Sequence, residues 1–361
     1  MKIAFVYAGG RGERWSAALE GRVPGDFFYG AVELAKSGHE IVCLDAPDPR
    51  SSLLATAYNF LLDSRTPVRT RGEHVAATAR CLPQIRSCDA VVAASTSHAN
   101  ALAFWRRLGR FRAPLIGIHC GHVNYSLDGP RRRATARAMR EQEIVLFADS
   151  EREETMRQFE VAPEHLHANA FGVDTDFWTP AVVDREFILA VGNDGRRDYG
   201  TFVAAVAGID APVKILTGRP LPEPLPPHVE HLRGSWHAPA VTDEGLRDLY
   251  RRALMVVVPL EDAIQPSGQS VALQAMACGR PVVLTRTRGL WTGGDLVDGR
   301  DLLLVEPSAP EVLGRVLQQL LDDAGHREQI ASSARETVLR HGRIHDFARR
   351  LETVISTASM S

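Results

Sequence analysis

Short apolar runs alternate with longer amphipathic segments along almost the whole chain, and this alternation restricts the fold more than any single motif. It is the pattern of βα units, in which buried parallel strands are joined by crossover helices. In the first half the apolar runs predict strands over Lys2–Ala8, Glu40–Ala46, Ala90–Ala94, Pro114–His119 and Ile144–Ala148. Helices are expected over Phe27–Lys36, within Glu73–Arg86, and over His98–Leu108, Arg131–Arg140 and Glu151–Phe159. Asp149 and Ser150, set before the acidic stretch Glu151–Glu154, predict a helix start capped by side chains. From Phe171 to Pro180 the period is lost and turn formers dominate, which places an interdomain linker at Gly172–Asp184.

The alternation then starts again. Strands are expected over Phe187–Val191, Val213–Thr217, Val229–Leu232, Met255–Pro259, Pro281–Thr285 and Asp301–Val305. The intervening helices are Tyr199–Ala207, Asp243–Ala253, Gly268–Cys278, Ala309–Asp322 and His326–Arg340, followed by a tail helix over Ile344–Ile355. A chain of 361 residues is more than one compact core usually holds. The reading is therefore two doubly wound α/β domains, residues 1–172 with a tail helix in 341–361, and residues 185–340. Ligands of such sheets sit outside the carboxyl ends of the strands, so two facing domains predict one cleft.

Composition narrows the partners. Hydrophobic residues make up 45% and charged residues 24%, an ordinary globular balance, and a net charge of −2 gives no electrostatic case for nucleic acid. No stretch approaches the roughly 20 apolar residues of a membrane span. The first eight residues read as a buried strand rather than a signal peptide. Five scattered cysteines are best explained as reduced, buried thiols of a cytoplasmic protein.

The segment Pro266–Thr285 carries the strongest chemical signal. It reads as loop, helix and strand, with Ser267-Gly268 opening the helix and Gly279 and Pro281 closing it. Small residues at a helix start leave N–H donors converging on one spot at the positive end of the helix dipole. That arrangement suits a diphosphate, although an ordinary capped helix has the same residues. Arg196 and Arg197 follow a strand, and guanidinium forks match phosphate oxygens. Gly9-Gly10-Arg11-Gly12 follows the first strand but fits neither the dinucleotide fingerprint nor a P-loop, so by itself it is a tight turn. His119 ends a strand at its carboxyl end, where a lone histidine is more often structural. A metal site at His119, Cys120 and His122 is declined, because consecutive strand residues point to opposite faces and a fourth ligand is lacking. Asp174-Thr175-Asp176 is likewise set aside as linker. The run Arg131-Arg132-Arg133 with Arg137 and Arg140 reads as a solvated helix face, with peripheral contact to an anionic membrane or acceptor as the minority reading.

Together the segments 171–180, 191–199 and 266–285 resemble, in the right order, landmarks of the family-4 retaining glycosyltransferases, which have the GT-B fold. The resemblance implies a metal-independent, hexosyltransferase-like enzyme with no cofactor, using a UDP- or GDP-sugar as co-substrate and an unidentified acceptor. The first domain would bind the acceptor and the second the nucleotide sugar. It implies catalytic roles for His119, Arg196 and Arg197, with His119 bonding the donor sugar and the arginines facing the leaving diphosphate. Gly10, Ser267, Gly268, Gln269, Ser270 and Gln274 become donor and nucleotide contacts. The family's lysine position appears as Asp198 here, with the arginines as substitutes.

One departure stands out. Many members carry two glutamates separated by seven residues, and this chain has Pro266 and Gln274 there. An amide can still bond ribose hydroxyls, whereas proline cannot hold a sugar, which moves that contact to Gln269, Glu261 or Asp262. The missing glutamates keep a non-catalytic nucleotide-sugar-binding protein as an alternative. A sugar-nucleotide epimerase on the same fold is another, although it needs acid/base groups for which the sequence offers no clear set.

Overall fold

The computed structural model describes residues 1–46, 53, 55–57, 72–124, 129–234, 239–290 and 296–360. Two compact units emerge: Met1–Ala170 together with Ile344–Ser361, and Phe171–Arg343. Each is built on a six-stranded sheet in which every pairing is parallel.

In the first unit the strands are β1 (Lys2–Ala8), β2 (Glu40–Ala46), β3 (Ala90–Ala93), β4 (Leu115–His119), β5 (Glu143–Leu146) and β6 (Leu166–Ala168), in spatial order β2-β1-β3-β4-β5-β6. In the second they are β7 (Phe187–Val191), β8 (Val213–Leu216), β9 (Val229–Leu232), β10 (Ala253–Val258), β11 (Val282–Thr285) and β12 (Leu303–Val305), in order β12-β11-β10-β7-β8-β9. Central strands such as β3, β4 and β7 are buried at every residue, as sheets covered by helices on both faces require. Ala4, Val6, Val91, Leu102 and Leu115 belong to the core of the first unit, and Ile188, Phe202, Ile215, Val257 and Leu317 to that of the second.

Each sheet has one place where the chain reverses its direction of travel across the strands. It lies between β1 and β3 in the first unit and between β7 and β10 in the second. Loops leaving the carboxyl ends of these strands flank a crevice suited to a ligand.

Several elements differ from expectation. The helix anticipated over Phe27–Lys36 is split into a short turn, Asp26–Phe28, and a helix, Ala31–Lys36, by Gly30 at φ +84°. A Cβ at Gly30 would lie 3.0 Å from Ala348, so the glycine also admits the tail helix. The helix start differs from the expected one: Asp149–Glu151 is a tight turn, and the N-cap of Arg152–Phe159 is Glu151, whose side chain makes no capping bond. The aperiodic segment after Phe171 packs against the second unit. There Phe177 and Trp178 are buried, and the Trp178 and Tyr250 rings meet edge to face at 5.7 Å. Four cysteines are buried or half-buried, but Cys120 is exposed, contrary to the reading of uniformly buried thiols.

The tail helix Ile344–Met360 joins the first unit. Asn169 donates to the Phe347 carbonyl at 3.1 Å and accepts from Arg350 at 2.7 Å, while His39 and Glu352 meet at 2.8 Å.

Candidate functional site

In the second unit the loops after β7 and β10 are tied together by their backbones. Asp198 N–H donates to the Pro259 carbonyl at 3.1 Å, Glu261 N–H donates to the Arg196 carbonyl at 2.8 Å, and Arg197 bridges to Leu260. This pairing brings Arg196, Arg197, Ser267 and Gly268 to the switch point. Arg197 is only 6% exposed. Its guanidinium lies on Gly192, where a Cβ would sit 2.1 Å from Nε, and a Cβ at Gly268 would sit 3.3 Å from its Nη1. Nε and Nη1 are both buried, and neither makes a hydrogen bond among the described residues. Gly268, at φ +77°, precedes the helix Gln269–Ala277 and provides no side-chain cap, so the first-turn amides are left to other partners.

Asp194, which the sequence reading did not single out, joins these residues. Its Oδ2 is 2.8 Å from Arg197 Nε, and its Oδ1 accepts from the Ser267 hydroxyl at 2.7 Å and the Arg196 amide at 3.0 Å. Ser267 thus turns to a carboxylate instead of capping its own helix. The Arg196 side chain lies 3.7 Å from Glu261. Asp198, at the family's lysine position, caps the helix Tyr199–Val206 by accepting from the Thr201 amide and hydroxyl at 2.9 and 2.6 Å. Gln274 is 3% exposed, and its amide oxygen accepts from the buried Tyr250 hydroxyl at 3.2 Å. Of the stand-ins considered for the lost sugar contact, Gln269 is buried, Glu261 faces Arg196, and Asp262 is held by Arg288 at 2.7 Å.

In the first unit Gly10, at φ +80°, has open space beside its α-carbon. The next two amides are already engaged, with Arg11 and Gly12 donating to the Asp45 carboxylate at 3.0 and 2.8 Å. His119 is fully buried, with Nε2 3.1 Å from Gln142 Oε1. Gln142 uses its Nε2 to donate to Asn100 and the Ala138 carbonyl, so its oxygen faces the histidine. That orientation makes His119 Nε2 the protonated nitrogen and leaves Nδ1 as a lone-pair acceptor, buried and unpartnered. Gly117 makes room for the pair, because a Cβ there would lie 2.1 Å from Gln142 Oε1 and 2.5 Å from His119 Nε2.

His119 and His122 do not diverge as strand alternation predicted. β4 ends at His119, Gly121 turns the chain at φ +73°, and the two rings meet edge to face at 5.2 Å. The Thr155 hydroxyl donates to the Glu151 carbonyl, so it accepts from His122 Nε2 at 2.7 Å. Glu151 accepts from the Gly121 amide at 2.7 Å and lies 3.7 Å from His122 Nδ1. Burial pushes His119 down to about 4 and His122 well below the ordinary imidazole value, and it pushes the Glu151 carboxyl up to about 8. Among the described residues no group of three or more His, Cys, Asp or Glu side chains could hold a metal ion, and no helix is long and apolar enough to cross a membrane.

Comparison with known proteins finds a family match for part of the second unit. A family model described as Glycosyl transferases group 1 matches residues 187–323, which span β7 to β12 and the helix after it. The chain carries a glycosyltransferase group 1 domain. Among its relatives is a D-inositol 3-phosphate glycosyltransferase of Salinispora arenicola, 29% identical over 288 residues, or 64% of this chain and 61% of that protein. Another, of Rhodococcus jostii, is 27% identical over 64% of this chain and 58% of the relative. The chain therefore spans about three fifths of the length of the curated relatives it matches. Among solved structures, Anabaena HepE in complex with UDP-glucose has a TM-score of 0.71 at 13% identity, covering 99% of this chain and 100% of that one. Sucrose-phosphate synthase from Thermosynechococcus elongatus has a TM-score of 0.69 at 18% identity, covering 99% and 98%. The fold surrounding the glycosyltransferase group 1 domain is the GT-B fold.

Proposed function

We propose that the protein transfers a glycosyl group from a UDP- or GDP-sugar to an acceptor hydroxyl, with retention of configuration and without a metal ion. The observation that carries this reading is the buried Arg197 guanidinium, whose unpartnered Nη1 lies beside Gly268 at the start of the helix Gln269–Ala277. A buried guanidinium that pairs with Asp194 on one side and leaves the N–H groups of Nη1 without an acceptor at a helix N-terminus is costly unless a further acceptor completes it. A diphosphate has the charge and the acceptor oxygens to do so. HepE, which shares the fold, has been crystallised with UDP and with UDP-glucose.

In this mechanism the acceptor oxygen attacks the anomeric carbon on the face the diphosphate leaves. The bond between that carbon and the phosphate oxygen breaks, the new glycosidic bond forms, and the acceptor proton passes to the departing phosphate oxygen. Arg197, Arg196 and the amides of Ser267–Ser270 stabilise the negative charge that develops. Gln274 contacts the ribose, Gln269 the donor, and Gly10 offers a close backbone approach. His119 uses its Nδ1 lone pair to accept from a sugar hydroxyl.

A thermal-shift screen over UDP, GDP and their sugars identifies the donor, and NMR-monitored reactions with an acceptor panel in EDTA then follow. The expected result is a glycoside with the donor's anomeric configuration, formed at most of the rate without chelator. An inverted product overturns the retaining mechanism, and activity restored only by magnesium or manganese overturns metal independence. Binding without transfer to any acceptor favours a nucleotide-sugar-binding protein, and donor isomerisation without acceptor favours an epimerase.

A further inference from the structure

We propose that Asp194 is the positioning residue of the diphosphate site, acting by holding Arg197 and Ser267 in one arrangement; this rests on the reading of that site given above. A carboxylate among groups meant for an anion is an electrostatic contradiction. Left to itself it repels the ligand, since like charges a few ångströms apart in a sheltered site oppose each other by on the order of kilocalories. The contacts of Asp194 resolve the contradiction. One oxygen forms an ion pair with Arg197 at 2.8 Å from Nε, on the inner edge of the guanidinium, without hydrogen-bond geometry, and the other accepts from Ser267 Oγ and the Arg196 amide. The carboxylate is therefore directed at the near side of the cation, leaving Nη1 toward Gly268.

An arginine side chain has many rotamers, and fixing one in advance removes an entropic cost from ligand binding. Gly192 supplies the floor on which the guanidinium rests, and Asp194 supplies the anchor that keeps it there. Because Asp194 also accepts from Ser267, it links the loop after β7 to the residue before Gly268, across the two strands that flank the switch point. One side chain thus fixes the relative position of the buried cation and the helix start. The role is exerted through Arg197, so it has a signature that a general structural role lacks.

The test is a double-mutant cycle on nucleoside diphosphate affinity, by calorimetry with UDP or GDP, whichever raises the melting temperature more. The corresponding nucleoside serves as the control ligand. Arg197→Ala and Asp194→Ala are each expected to weaken diphosphate binding at least tenfold and to leave nucleoside binding within twofold. In the Arg197→Ala background, Asp194→Ala is expected to add less than threefold. Asp194→Asn keeps an oxygen for Ser267 and the Arg196 amide, and its expected loss lies between wild type and Asp194→Ala; it also serves if the alanine variant fails to fold. Tighter diphosphate binding in either Asp194 variant overturns the inference and makes the carboxylate a repulsive group. A full tenfold loss from Asp194→Ala on top of Arg197→Ala also overturns it, since Asp194 then acts independently. If Arg197→Ala alone leaves affinity unchanged, the diphosphate reading fails, and the positioning role fails with it.

Discussion

The two sheets place a glycine at the same point, just beyond the strand beside the switch: Gly9-Gly10 after β1 and Gly192 after β7. Both neighbourhoods contain an aspartate, yet it does opposite work in the two. In the first unit Asp45 reaches across from β2 and accepts the amides of Arg11 and Gly12, so part of the turn's anion-binding capacity is filled from within. In the second unit Asp194 sits inside the loop and engages a guanidinium and a hydroxyl, leaving a cationic edge. A shared topology fixes where a ligand can sit, and the origin of one carboxylate fixes which charge it meets there.

The largest expected contrast comes from the glycines themselves. Gly192→Ala places a methyl group where Arg197 rests, at φ +148°, and is expected to weaken nucleoside diphosphate binding at least tenfold, or about 1.4 kcal/mol. Gly10→Ala meets no protein atom within 4 Å, so backbone strain of about 1–2 kcal/mol in stability is expected, with a loss of diphosphate affinity smaller than that of Gly192→Ala. Equal binding losses by calorimetry would break the comparison, because the first turn would then contact the diphosphate as closely as the second.

The second contrast is in titration. Arginine keeps its charge across the working range, whereas the buried groups of the first unit do not. His98 and His119 are pushed by burial from 6.5 down to about 4, so the stability they contribute is present above 6.5 and is lost as pH falls toward 4. Glu151 is pushed by burial from 4.5 up to about 8, so its contribution is present below 4.5 and is lost as pH rises through 8. Between 4.5 and 6.5 the histidines outnumber the glutamate. The first unit is therefore expected to be most stable near pH 6.5, read from hydrogen exchange of β4 and β5 amides. Glu151→Gln should remove the decline above that point and spare the acid side. A decline that persists in the variant assigns it elsewhere.

The smallest expected effect sharpens the second unit alone. Gln274→Ala should weaken binding of the nucleoside diphosphate itself by about 0.5–1.5 kcal/mol, the typical worth of one hydrogen bond. Its oxygen already accepts from Tyr250, which places the expectation toward the lower end. Unchanged affinity removes Gln274 from the ribose contact.

What the sequence made legible follows from how each feature is encoded. Strands such as β1 and β7 were readable to the residue because continuous apolar runs between turn formers have few other folded solutions. β6 was not, since three residues, Leu166–Ala168, cannot display a period. The gathering of Arg196, Arg197, Ser267 and Gly268 was legible from the helix-start pattern and the strand that precedes the arginines. Asp194 was hidden because an aspartate beside a glycine reads as a turn, and its partner Ser267 is remote in sequence. Gly117 in the middle of a buried strand was the available sign that a side chain folds back there, which is where His119 and Gln142 meet. The convergence of His119 and His122 depended on the strand ending one residue before the turn, a boundary that sequence patterns set poorly.

The chain leaves the first unit at Ala170, builds the whole second unit, and returns only at Ile344. On the ribosome this imposes an order of completion. The first 170 residues emerge long before the helix that covers Gly30 and occupies the hydrogen-bonding groups of Asn169. The second unit, continuous in the chain, closes its core earlier than the unit translated first, reversing the usual tendency of amino-terminal domains to finish folding ahead of those behind them. A nascent chain halted before residue 344 therefore presents a complete glycosyltransferase group 1 domain attached to an open partner, with Phe147 deprived of the Phe347 ring that lies 6.2 Å from it in the finished protein. Quality control acting on such a fragment meets apolar side chains such as Phe147, against which the seventeen-residue helix Ile344–Met360 packs in the finished protein.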